Sequence, residues 1–101
     1  MEKPMLKPII LALTLLATPL AAETEEHPCE TLGGLAALIM EARQLGVPLS
    51  EMMRIAADSE LLQAITITAY QSPRFSTDSY RQEAIKDFRN EIEVMCYGSA
   101  T

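Results

Sequence analysis

The chain has no tryptophan and a single histidine, His27, and it carries eight Lys and Arg against 14 Asp and Glu, a net charge of −6. Each scarcity excludes a class of function. So few cations leave a surface that repels phosphate backbones and anionic membranes, because binding by counterion release needs clustered Lys and Arg. A lone histidine in the polar stretch ETEEHP leaves Ser-His-Asp and Cys-His arrangements without a firmly held base, and sequence alone predicts it to be a solvated residue before a helix. The two cysteines, Cys29 and Cys96, lack C-x-x-C spacing and, with one histidine, fall short of a zinc ligand set. No Asp-rich loop has the central Gly of a calcium site. Gly33 and Gly34 lie inside a helical pattern rather than between a strand and a helix, so they suit close helix approach better than a phosphate cradle. The carboxylates of EAIKDFRNEIE alternate with Lys86 and Arg89, as on a solvated, salt-bridged helix face. The chain is therefore expected to be no enzyme and to hold no metal, cofactor or nucleic acid.

Long apolar runs are also missing. The nearest approach is MEKPMLKPIILALTLLATPLAA, residues 1–22, in which Lys3 and Lys7 precede an apolar run and Ala21 and Ala22 supply small residues. That is the pattern of a secretory signal peptide cleaved after Ala22. From Ile9 to Ala22 the run is 14 residues, broken by Thr14, Thr18 and Pro19, whereas a spanning helix needs about 20. No cysteine follows Ala22 directly, which argues against a lipoprotein. Residues 23–101 are then the mature domain, expected to be periplasmic or secreted. Without Lys3, Lys7 and Glu2 its basic residues number six and its acidic ones 13, a net charge of −7.

A domain this small often needs an added constraint. In an oxidising compartment an even pair of cysteines is read first as a disulfide. Cys29, Leu32, Ala36 and Ile39 recur at helical spacing, as do Ile85, Phe88, Ile92, Met95 and Cys96, so each cysteine sits by the apolar stripe of its helix. A Cys29–Cys96 bridge would join the start of the first helix to the end of the last. The expected fold is all-α, a small four-helix domain stapled by that disulfide. The pattern predicts a helix from Pro28 to Leu45 stopped by Gly46, a second from Glu51 to about Ala57 capped by Ser50, a third from Glu60 to about Gln71 capped by Asp58 or Ser59, and a fourth from about Thr77 to Tyr97 with Ser76 or Thr77 as cap and Gly98 beyond its end. Ile65 to Thr68 alternate in the manner of a strand, but Leu61, Leu62, Ile65 and Ala69 fit helical spacing, and a lone strand would have no partner.

The segment EARQLGVPLSEMMRIAADSELL, Glu41 to Leu62, resembles the ARxLGxSLxEI segment of MerR-type transcription regulators at Ala42, Arg43, Leu45, Gly46, Leu49 and Glu51. In that family it follows a DNA-reading winged helix. Here few and acidic residues precede it, so helix, Gly stop, turn and cap account for it, and a DNA-binding regulator is not expected. Over most of its mature length the chain resembles small exported all-helical proteins of unknown function from proteobacteria and their phages, through Cys29, Glu41 to Met53, and Asp87 to Glu91 followed by Cys96. The resemblance implies no activity and no site residues.

Recognition of another molecule remains. YQSPRFSTDSYR places Tyr70, Arg74, Phe75, Tyr80 and Arg81 around one turn, and Tyr and Arg are favoured interface anchors. Phe75 packed on Tyr80 as a hydrophobic staple is the structural alternative; in either case Arg74 is expected to project with little to do in the fold. The predicted function is an exported protein-binding module, a modulator or inhibitor of an envelope or extracellular protein. An acid-responsive periplasmic chaperone is the alternative, since acid would protonate the carboxylates and loosen the fold. Export makes one direct prediction: intact-mass measurement of exported material should give a chain beginning at Glu23. Retention of Met1 to Ala22 in a membrane fraction would contradict it.

Overall fold

The computed structural model describes residues 26–99. The predicted signal peptide, residues 1–22, and the first residues of the predicted mature domain lie outside the described residues. Four helices follow in order, α1 (Pro28–Leu45), α2 (Leu49–Ile55), α3 (Glu60–Tyr70) and α4 (Asp78–Ser99). The all-α expectation holds, and among the described residues there is no strand.

Helix α1 is the hub, packing on α4 along its length and on α3, while α2 packs on α3. Its core stripe is Cys29, Gly33, Ala36, Ile39, Met40 and Gln44, which recur at helical steps of three and four, with Ile39 and Met40 side by side in the middle. Ala36, Ile39 and Met40 meet Ile65 and Ala69 of α3 and Phe88 and Ile92 of α4 in one buried cluster. Each large apolar side chain buried there contributes about 1.5–3 kcal/mol.

The disulfide forms as expected between Cys29 and Cys96, with Cα atoms 5.6 Å apart and a sequence separation of 67. Helices α1 and α4 therefore run antiparallel, with the start of one bonded to the end of the other. Closing so long a loop stabilises by about 4 kcal/mol in the chain-entropy account. His27, far from being a free polar residue, sits at this junction. Its Nδ1 accepts from the Cys29 N–H at 3.0 Å, making it the side-chain cap of α1. Its ring lies 4.7 Å from that of Tyr97, between centroids. His27 is exposed, as a residue just before the helix is expected to be; what the sequence did not show is that the bridge brings the end of α4 beside the residue that caps α1.

Residues 65–68 are helical, and the two threonines show how. Thr66 Oγ1 donates to Leu62 O at 2.7 Å and Thr68 Oγ1 to Ala64 O at 2.9 Å, so each hydroxyl is absorbed by the carbonyl one turn back. Ser59 caps α3 as expected, accepting from Leu62 N at 3.2 Å. Two other boundaries differ from prediction. Helix α2 starts at Leu49 behind Pro48, without a side-chain cap bond: the Pro48 carbonyl accepts from Glu51 and Met52, and Ser50 lies inside the first turn. Helix α4 starts behind Thr77, one of its two predicted caps, whose Oγ1 accepts from Tyr80 N at 3.3 Å, but it continues through Gly98 rather than stopping before it. Gly46 is the sole described glycine with positive φ, and Ser99 Oγ bonds back to Met95 O and Cys96 O.

The paired glycines of α1 divide their roles. A Cβ on Gly33 would overlap the carboxylate arm of Glu93, whereas one on Gly34 would meet nothing within 4 Å. Gly33 thus lets Glu93 lie across α1 while bridged to Arg89 at 3.0 Å; Gly34 carries only the entropic cost of glycine in a helix. Gly34→Ala should therefore stabilise the domain by about 0.5–1 kcal/mol in urea unfolding. Gly33→Ala should lose that gain to the displacement of Glu93, and equal stabilisation by both substitutions would refute the assignment.

Candidate functional site

The turn that carries Tyr70, Arg74, Phe75, Tyr80 and Arg81 is the first place to look for a site, and the structure gives most of it work within the fold. Helix α1 ends in a Schellman pattern: Gly46, at φ 90°, donates to Arg43 O and Val47 donates to Ala42 O, which satisfies two of the carbonyls a helix end leaves open. Arg74 serves a third, its Nε donating to Gln44 O at 3.3 Å. Its guanidinium lies so close over Gly46 that a Cβ there would stand 3.1 Å from the Arg74 Cζ. The expectation that Arg74 has little to do in the fold is corrected by this contact, because a cation beside a helix C-terminus meets the negative end of its dipole.

The centre of the arrangement is Gln44, 2% exposed. Its Nε2 donates to Pro73 O at 3.0 Å and its Oε1 accepts from Phe75 N at 2.8 Å, so one side-chain amide pairs with the backbone of the turn much as a neighbouring strand would. Arg43 Nε donates to Ser72 O at 2.9 Å, and its guanidinium stands 5.3 Å from the Tyr70 ring centroid. Tyr70 donates its hydroxyl to Val47 O at 2.6 Å, and Arg81 Nε donates to Phe75 O at 2.8 Å. Burial pushes the Tyr70 phenol above its usual pKa, with Arg43 opposing and Glu51 adding to the rise. That hydrogen bond needs the protonated phenol, so its contribution is whole below about pH 10 and is lost as the pH climbs through the raised value.

Phe75 and Tyr80 do pack together, ring centroids 6.1 Å apart, but with Thr77 as the cap of α4 they stand one position off the N′ and N4 places of a hydrophobic staple. Of the five residues singled out in the sequence, Tyr80 alone keeps its side chain outward apart from that contact, at 60% exposure. The five are brought together: Tyr70 and Arg74 spend hydrogen bonds on the backbone around the end of α1, and Arg81 on the backbone of the turn itself.

A second feature escapes the sequence pattern. Leu35, Leu38 and Ile39 of α1, Met52 and Ile55 of α2, Ala56 just beyond it, and Leu62 and Thr66 of α3 line an apolar groove of about 200 Å³. Leu38 is 62% exposed and Ile55 75%. The one polar side chain in the lining, Thr66, has already committed its hydroxyl to Leu62 O. A signal was present: α1 carries leucines at 35, 38 and 45 that fall outside its core stripe, and a helix apolar beyond one face has more to cover than its own neighbours supply.

Among the described residues no cluster of three His, Cys, Asp or Glu is placed to hold a metal ion. The clamp around Gln44 makes a definite prediction. Gln44→Leu keeps the volume but leaves Pro73 O and Phe75 N unpaired, so chemical unfolding should show a loss of about 2–3 kcal/mol. Arg74→Ala, which removes an exposed cation from a helix end, should cost about 0.5–1 kcal/mol. A Gln44→Leu domain as stable as the parent would mean that the amide holds nothing.

Comparison with known proteins adds no assignment: no family model matches the chain, and no curated protein or solved structure matches it.

Proposed function

We propose that the chain is a small exported module, periplasmic or secreted, that acts by binding another protein, as a modulator or inhibitor of an envelope protein, through the groove between α1, α2 and α3. The Cys29–Cys96 disulfide supports an oxidising destination, as does the signal-like N-terminal pattern, and no described helix is long and apolar enough to cross a membrane. The observation that carries the proposal is the open apolar groove, with Leu38 and Ile55 at its lips. On an acidic domain of this size, apolar side chains gathered around a concavity mark a docking surface more than a solvated face. The Tyr70–Arg81 turn is the lesser candidate, because its cations are bonded to the fold and Tyr80 is left as its free anchor.

The groove is open in the folded chain, so docking there calls for no acid-driven loosening. Protection of client proteins from aggregation at low pH and not at neutral pH would instead favour the acid-responsive chaperone.

In vivo crosslinking separates the surfaces. Leu38→Asp with Ile55→Asp should abolish the main crosslinked partner while the melting curve stays within a few degrees of the parent, since both side chains are already exposed. Tyr80→Ala should retain the partner. The reverse result, loss with Tyr80→Ala and retention with the double substitution, would move the site to the turn and overturn the groove.

A further inference from the structure

We infer that the occupant of the groove is a cationic amphipathic helix of a partner protein. This rests on the proposal above that the groove is a docking surface, and it adds the chemistry of what docks. The interior of the groove offers no recognition by hydrogen bonding. Thr66 donates to Leu62 O at 2.7 Å, and among the described residues no buried side-chain N or O lacks a partner. At about 200 Å³ the groove is smaller than the roughly 300–1,000 Å³ of small-molecule sites. It has room for one or two large aliphatic side chains, which is what an apolar helix face presents at steps of three and four.

The rim supplies the second half of the argument. Glu41 stands one turn after Leu38 on α1, Glu51 one turn before Ile55 on α2, and Asp58 follows Ile55 in the turn to α3; all three are exposed. Residues three and four apart share a helix face, which sets Glu41 on the face of Leu38 and Glu51 on the face of Ile55. Against them the groove helices carry Arg54 and Arg43, and Arg43 is turned to Ser72 O and the Tyr70 ring. An apolar floor with an acidic rim complements apolar side chains flanked by lysines or arginines. A second copy of this chain is the natural rival for an exposed apolar groove, but it would bring the same carboxylates against this rim in a chain of net charge −6, and like charges across an interface oppose association.

Fluorescence anisotropy with the disulfide-bonded domain, residues 23–101, tests this. The probes are three labelled 18-residue peptides: leucines on one helical face with lysines on the other, the same peptide with glutamates for lysines, and a scrambled lysine peptide with no apolar face. The lysine amphipath should bind at least tenfold more tightly than either of the others, weaken severalfold between 50 and 500 mM salt, and weaken severalfold with Glu41→Gln plus Glu51→Gln. Ile55→Asp should abolish binding even though it adds a negative charge. Equal binding of the glutamate peptide would overturn the cationic partner while leaving the groove standing. Equal binding of the scrambled lysine peptide, or full binding to Ile55→Asp, would reduce the effect to charge attraction and overturn the inference. A peptide-free dimer in sedimentation that Ile55→Asp dissolves would give the groove to a second copy and overturn it likewise.

Discussion

The side-chain amide of Gln44 is the constraint from which the rest of the arrangement follows. Helix α1 must be held against α4 at both ends if a domain of this size is to keep its core closed, and the two ends are held by different chemistry. At the start of α1 the link is covalent, Cys29 to Cys96. At its end Gln44 reads the backbone of the α3–α4 connection, donating to Pro73 O and accepting from Phe75 N. A rise of about 1.5 Å per residue puts the two clamps about 22 Å apart, and the buried cluster of Ala36, Ile39, Met40, Phe88 and Ile92 lies between them. Pro73 contributes by what it lacks. It has no N–H to satisfy, so Gln44 can serve this stretch with one donor and one acceptor.

A cluster of Tyr, Phe and Arg around a turn invites an interfacial interpretation in sequence, and here the same residues solve an internal problem. A helix end leaves carbonyls without partners. Gly46 and Val47 satisfy two of those of α1, Arg74 takes Gln44 O, and Tyr70 then secures Val47 O just beyond. Arg suits this work because its planar fork can donate while its face lies over a glycine backbone, and the absence of a Cβ at Gly46 is what admits it. The local basic character of the turn thus answers the dipole of α1.

Much of the fold was legible because it rests on periodicity and on chemistry local in sequence. Pro28 and Gly46 bound α1, Ser59 caps α3, and the cysteines fall beside the apolar stripes of their helices, so the pairing follows from the pattern. What was not legible depends on contacts between residues far apart in the chain. Nothing around Gln44 says that it is buried, since its partners lie 29 and 31 residues away. His27 is exposed as expected, but its contact with Tyr97 was not legible, because the two rings come from opposite ends of the domain's sequence. The groove was hidden for a related reason: leucines at 35 and 38 look like core by type, and it takes the placement of α3 and α4 to show which arc of α1 they leave uncovered.

That arc is walled by the least anchored element of the domain. Helix α2 has seven residues, none of them buried, and no side-chain cap at its start. A helix so short does not persist in water by its own propensity. Its anchors lie outside it: the buried Ala56 just beyond its end, and Gln63, whose amide donates to Ala56 O and Ala57 O from α3. Local opening free energies are lowest where few apolar contacts are buried, so α2 yields before the doubly clamped pair of α1 and α4. The width of the groove is therefore set by its weakest wall. Met52 on that wall adds a side chain that repacks readily, so α2 can move against an incoming apolar side chain while the core cluster stays closed. A fixed clamp set apart from a yielding wall would let one small domain keep a single fold while taking up the partner proposed for the groove.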